Sequence, residues 1–277
     1  MALSNEAAYD EALESPFQRA RASKNATTVV AGRAYSLWTA GGMPAAGAAP
    51  TTAAVPTEAT AGALNSSGQN LFNGTNRRIL KAVADAALTT PGAMITVCDR
   101  LSHQGGLSGT TTTAQTTNLP TSALTRYTSG VGVRSALEIY TTIGATGTTV
   151  TTSYTDSGSA AGNTSPAATF GATGNNTAPR FVMLPLAVGD VGVKSVESVT
   201  VLATTGTAGN FGVTLFYPVI SVPIDDILAV KGSADALFGF GTWFPLLADN
   251  ACLFFVVHAT GTTTGVVQAD FLICEDR

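Results

Sequence analysis

The sequence predicts an all-β protein: a β-sandwich of jelly-roll-like form, preceded by an N-terminal arm carrying one or two short helices. Three observations predict it. From residue 93 onward, apolar and polar residues alternate over short runs, the period of half-buried strands. Gly-, Asn- and Thr-rich stretches that suit tight turns separate the runs. Charge is also scarce: 12 % of residues are Asp, Glu, Lys or Arg, about half of the roughly 25 % usual in soluble domains. Only Asp156 is charged between Glu138 and Arg180. A surface so poor in charge suits a protein packed into something larger better than one dispersed by its own net charge.

The chain divides into an extended arm over residues 1–70 and a sandwich body over 71–277. Residues 5–22 can be helical around Glu6–Glu14 until Pro16 interrupts, with acidic residues before basic ones in the sense the helix dipole favours. Arg19, Arg21, Lys24 and Arg33 form a small basic cluster, balanced by Glu6, Asp10, Glu11 and Glu14. Tyr35, Leu37 and Trp38 follow as a compact anchor. With Arg19 and Arg21 they are the candidate assembly contacts. Residues 40–67, with Pro44, Pro50 and Pro56 among Ala, Gly and Thr, favour extended conformations that could order along a neighbour. Residues 76–88 place Leu80, Val83, Ala84 and Ala87 at helical spacing, the second expected helix.

The body then reads as strands. Residues 93–98 are an apolar run. Val133, Leu137 and Ile139 share a face opposite Arg134, Glu138 and Tyr140, and Val150, Thr152 and Tyr154 continue beyond a Gly144–Gly147 turn as a hairpin. Residues 157–176 read as a long loop. Pro185 marks an edge or break in the strand from Phe181. Two more hairpins are expected, one joining residues 196–203 to 211–217 and one joining 253–257 to 267–273.

The material for chemistry is thin. Both histidines, His103 and His258, have a structural reading, His258 as a core or edge residue of an apolar strand. Asp99, Ser102 and His103 are neighbours in sequence. A Ser-His-Asp triad is a spatial arrangement, and neighbours on a strand point in different directions. The expectation is a strand end before the Gly105-Gly106 turn, with Asp99 and Arg100 as an ion pair. Asp225-Asp226 reads as a turn or helix cap, since a cation site needs more oxygen ligands. Cys98, Cys252 and Cys274 are far apart, lack zinc spacing and read as free thiols. No catalytic, cofactor-binding or metal-binding residues are expected, and no cofactor or small-molecule ligand. The net charge of −4 and pI near 5.1 argue against nucleic acid as a specific partner. No apolar run approaches membrane-spanning length, and no signal peptide is expected.

The composition resembles that of virion structural proteins of tailed bacteriophages. So do two phrase-like stretches, LSHQGGLSGTTTTAQTTNLPTSALTRYTSGVGVRSALEIYTTIGATGTTVTTSY and APRFVMLPLAVGDVGVKSVESVTVL. The resemblance covers residues 30–277. It implies a non-enzymatic particle component present in many copies, assembled in the bacterial cytoplasm and resident in the virion. Its partners would be copies of itself and other virion proteins, the major capsid protein among them. No long spine helix or charged extended loop of the major capsid type is evident. The expectation is therefore an auxiliary (decoration or cement) capsid protein that braces its neighbours. The alternatives are a major capsid, tail or collar protein, or a receptor- or carbohydrate-binding sandwich.

Overall fold

A computed structural model describes residues 18–64, 77–88, 92–224, 231–235 and 246–275. In chain order the strands are β1 (Gln18–Val29), β2 (Arg33–Ser36), β3 (Gly42–Met43), β4 (Arg77–Leu88), β5 (Ala93–Leu107), β6 (Gln115–Thr116), β7 (Arg134–Thr141), β8 (Thr148–Asp156) and β9 (Asn163–Thr164). They continue as β10 (Ala168–Phe170), β11 (Arg180–Met183), β12 (Val193–Val201), β13 (Asn210–Ile224), β14 (Lys231–Asp235), β15 (Leu246–Leu247), β16 (Leu253–Ala259) and β17 (Thr263–Glu275). A single 3-10 turn at Leu119–Thr121 is the one helical element among the described residues.

The strands make three layers. β11-β2-β16-β5-β13-β7 close into an antiparallel barrel. On one side lies a six-stranded sheet, β14-β4-β17-β1-β3 with β15 beside β4; on the other lies a five-stranded sheet, β10-β8-β12-β6 with β9 beside β8. Two apolar cores join the layers. Val267, Ala269, Phe271 and Ile273 of β17 meet Ile95, Val97, Phe255 and Val257 of the barrel wall. Val150, Tyr154, Val196 and Val199 of the five-stranded sheet meet Leu137, Ile139, Val213 and Leu215. A third core, with Phe181, Phe216, Phe254 and Val256, fills the barrel itself. The barrel strands are therefore buried on both faces, and the side of β7 that carries Glu138 lies inside the barrel, not toward solvent. Short strands β3, β6, β9 and β10 cover parts of the outer edges that would otherwise present unpaired backbone.

All three expected hairpins are crossings between layers. β7 belongs to the barrel and β8 to the five-stranded sheet; β12 and β13 divide the same way; β16 lies in the barrel and β17 in the six-stranded sheet. Alternation and a glycine turn specify strand, turn, strand. They do not say whether the second strand lies beside the first or across the core from it, because both need one apolar face. Two of the crossing loops grip each other. The buried Thr205 hydroxyl accepts from Gly144 N at 3.1 Å and donates to Gly109 O at 3.0 Å. A side chain at Gly144 would overlap the Thr205 carbonyl.

Residues 77–88 are the strand β4, not a helix, paired with β17 from Leu88 opposite Gly265 to Arg77 opposite Glu275. An Ala-rich helix this short is marginal alone, and a long partner strand overrides its propensity. Residues 18–22 are likewise extended, in β1; the remainder of the first expected helix lies outside the described residues. The described part of the expected arm is woven into the layers, β1 against β17 and β2 in the barrel wall. Residues 40–64 lie along this chain's own barrel as a strap. They are held by an Ala54–His103 bridge, by Trp38 Nε1 donating to Ala48 O at 2.9 Å, and by Leu64 N donating to Leu253 O at 2.8 Å. Residues 157–176 fold back on β8 as β9 and β10, and β11 stops just before Pro185.

Candidate functional site

The densest polar chemistry of the described residues lies within and around the barrel, and β5 builds most of it. Rather than ending before Gly105, β5 runs on to Leu107. Its alternation sends Ile95 and Val97 to the six-stranded sheet and Cys98 into the barrel with Phe216 and Phe254. Arg100 follows Cys98 inward. The pairing with β13 then slips: Phe216 faces Arg100 and Leu215 faces Ser102, so Leu101 is left over. One extra residue inverts the phase of the strand. His103, opposite Thr214, therefore joins Arg100 inside, while Ser102 takes the Leu215 side.

Arg100 and Glu138 are both 0 % exposed, and Arg100 Nη2 donates to Glu138 Oε2 at 2.6 Å. The same carboxylate oxygen accepts from Tyr140 OH at 3.0 Å and Thr214 Oγ1 at 2.9 Å. Arg100 Nε donates to His103 Nδ1 at 2.6 Å, and its guanidinium lies 4.5 Å from the Trp38 ring centroid and 5.3 Å from that of Phe254. Burial and the adjacent Arg100 charge push the His103 imidazole down to about 2. Burial opposes the Arg100 charge, but Glu138, Tyr140 and Cys252 together outweigh it and hold the guanidinium above its ordinary value.

Asp99 and Arg100 are not an ion pair, because consecutive strand residues face opposite ways. Asp99 takes Arg126 in a fork of two 2.9 Å bonds, and its Oδ1 also accepts from Cys252 N at 2.8 Å. Arg126 Nη2 donates in addition to Pro56 O at 3.0 Å, which fastens the strap. Asp99, Ser102 and His103 thus have separate surroundings. Asp99 is held by Arg126, the Ser102 hydroxyl is buried without a partner, and the His103 Nδ1 lone pair is occupied by Arg100. The buried charges join β5 to β7 and the strap to β5. Nothing in their geometry presents an acid or base to a ligand.

Of the candidate assembly contacts, Tyr35, Leu37 and Trp38 are buried within the chain. Arg19 lies in β1 opposite Leu272. Arg21 is exposed and sits 3.4 Å from Asp270. His258 is in β16 of the barrel wall, where burial and Arg180 lower its pKa. Cys98 and Cys252 are free and buried, with burial raising both thiols, Cys252 to about 12. Asp225-Asp226 lies outside the described residues, and no group of metal-ligating side chains is found among those described.

An apolar surface ridge went unseen in the sequence. Met183 at the end of β11 is exposed, as are Pro185, Val188 and Val191 in the segment that follows, and Val131, bridged to Gly192, is exposed as well. The ridge is held stiffly. Tyr154 OH accepts from Ala187 N at 2.8 Å and donates to the Asp190 carboxylate, and Asp190 N closes a turn onto Ala187 O with Val188 and Gly189 at its tip. The signal was available: Asp190 is the only charge between Arg180 and Lys194, although an apolar run of that length reads as a buried strand.

No family model matches the chain, and no curated protein matches it. Among solved structures, the infectious bursal disease virus VP2 subviral particle aligns over 94 % of this chain and 81 % of that chain, at 9 % identity and a TM-score of 0.21. At that level of likeness, only this chain's own residues can say what it does.

Proposed function

We propose that this chain is a non-enzymatic structural subunit of a virus particle, in the finer reading a tailed bacteriophage, where it serves as an auxiliary (decoration or cement) protein bracing neighbouring capsid subunits. The observation that carries the proposal is the ridge of Met183, Pro185, Val188, Val191 and Val131. Its side chains are exposed, Val188 completely, on turns that are already fixed. Apolar groups presented rigidly lose little entropy when a partner covers them, and repetition by symmetry multiplies a modest contact. The charge-poor loops favour the same reading, since they lack the like-charge repulsion that keeps subunits apart. The carbohydrate-binding alternative loses ground because Phe170, the only aromatic residue of loops 144–149 and 157–176, is buried against Phe211.

The test is a copy-number measurement on purified particles, with wild type and a Val188→Lys/Val191→Lys variant. Stain intensity comparable with that of the shell protein is expected for wild type. A few copies per particle would indicate a tail or collar part instead. The variant is expected to incorporate at least tenfold less while unfolding at the same temperature. Incorporation of the variant at the wild-type level would refute the ridge as the contact.

A further inference from the structure

We infer that the partner seated on the ridge is a protein other than this chain and that it presents a carboxylate to Arg134. The inference rests on the ridge being the contact surface, as proposed above. Arg134 opens β7, and the ridge is built around it. Met183 pairs with Ala136, two residues along β7 and on the same face as Arg134. Leu184 N donates to Ser135 O at 3.0 Å, which brings Pro185 to the start of β7. Arg134 Nη1 donates to Val191 O at 3.1 Å, and Gly132 N donates to the same carbonyl at 3.1 Å. One edge of the guanidinium is thus fixed on the main chain at the surface, and no carboxylate among the described residues pairs with it. The acids nearby are engaged elsewhere: Asp190 accepts from Tyr154 OH, and Asp156 accepts from Ala160 N at 2.9 Å. Lys194, the other cation beside the ridge, lies against Gly130 and donates to Ser159 Oγ at 2.7 Å. An arginine held in place among apolar side chains is the kind of residue that dominates a protein contact, and its planar fork matches a carboxylate through two parallel bonds. The fork suits a phosphate too, but Met183, Pro185, Val188 and Val191 need apolar cover, which a protein surface supplies and a hydrated phosphate backbone does not. A second copy set ridge to ridge would bring guanidinium toward guanidinium with the nearby acids already engaged, and like charges so placed oppose contact.

The test uses particles assembled with the full-length protein. Arg134→Glu is expected to lower incorporation about tenfold or more while unfolding at the wild-type temperature, since it sets like charges against each other in the contact. Arg134→Lys keeps the charge and adds a reactive amine. Carbodiimide treatment of particles carrying it is expected to join the introduced amine to an Asp or Glu of another virion protein. Wild-type incorporation of Arg134→Glu would overturn the inference. So would a cross-link only to another copy of this chain, or none. The Val188→Lys/Val191→Lys variant separates the two readings. If it is excluded while Arg134→Glu incorporates normally, the ridge stands and the carboxylate partner falls; if both incorporate normally, the ridge itself falls.

Discussion

Lys24 is a buried amine with no carboxylate to balance it among the described residues, and replacing it with methionine should make the protein more stable at neutral pH. The residue is 1 % exposed, on the inner side of β1. Its ammonium donates only to main-chain carbonyls of the strap, Ala40 O at 3.2 Å and Ala45 O at 3.0 Å. Burial lowers its pKa from 10.5 to about 8. Below pH 8 the amine is charged in both the folded and the unfolded chain, and the folded chain bears the full desolvation cost. Between 8 and 10.5 the unfolded chain binds more protons, so stability rises with pH. At about 1.4 kcal/mol per pH unit, that window is worth about 3 kcal/mol. Methionine fills similar space without the charge but leaves two carbonyls without donors, at about 1 kcal/mol each. The net expectation for Lys24→Met at pH 7 is a gain of about 1 kcal/mol. The assay is urea unfolding of both proteins from pH 7 to 9.5. The buried Cys98, Cys252, Tyr127 and Tyr140, all raised by burial, lower stability at alkaline pH in both proteins and cancel in the difference. The advantage of the variant should shrink above pH 8 and then reverse. Curves that stay parallel over the whole range would refute the reasoning, and so would a variant less stable than wild type at pH 7.

Other perturbations follow from the same structure. Arg100→Met strands Glu138 inside the barrel and should cost about 3–5 kcal/mol in denaturant unfolding, whereas the Arg100→Met/Glu138→Leu double variant should recover most of it; equal losses in both would mean that the pair itself supplies the stability. The lowered pKa of His103 means that the unfolded chain binds a proton below pH 6.5 that the folded chain refuses. Stability should therefore fall as pH drops below 6.5, and His103→Asn, which keeps a hydrogen-bond acceptor, should flatten that slope in thermal melts at pH 4.5–7. Gly212→Ala should prevent soluble folding or cost more than about 3 kcal/mol, because the added carbon would overlap the Gln104 carbonyl across the β13–β5 pair; a mild effect would show that the two strands can separate locally.

The strands of the body were legible because their chemistry is local. The alternation in 133–140, 150–154, 211–217 and 267–273 maps onto β7, β8, β13 and β17, and Pro185 marked the end of β11. The layer each strand joins was not legible. Val150 packs across the core from Leu137 instead of beside it in the same sheet, and the glycine turns are compatible with either. Residues 76–88 read as a helix because four apolar residues fall at helical spacing; a strand far along the sequence decides otherwise, as in the pairing of Val83 with Asp270. For the polar cluster, the sequence placed Glu138 and Tyr140 on a polar face, where a six-stranded closure makes that face an interior. The meeting of His103 with Arg100 depends on the leftover Leu101, a slip of register that residue types alone do not announce. Thr205 shows the same limit. Its hydroxyl closes two loops, yet in sequence it is one threonine among many.

The first described strand pairs with the last, Gln18 opposite Ile273, and β2 completes the barrel only by lying against β16. A chain leaving the ribosome therefore has neither a closed barrel nor a full outer sheet until β16 and β17 emerge. Such long-range pairing must close large loops before any contact rewards them, which slows folding. Until β16 is made, β5 keeps one edge unpaired, in a form prone to association. The emergence of β16 and β17 is then the step on which yield depends, and a truncation near residue 260 should leave aggregated chain in place of a smaller folded one.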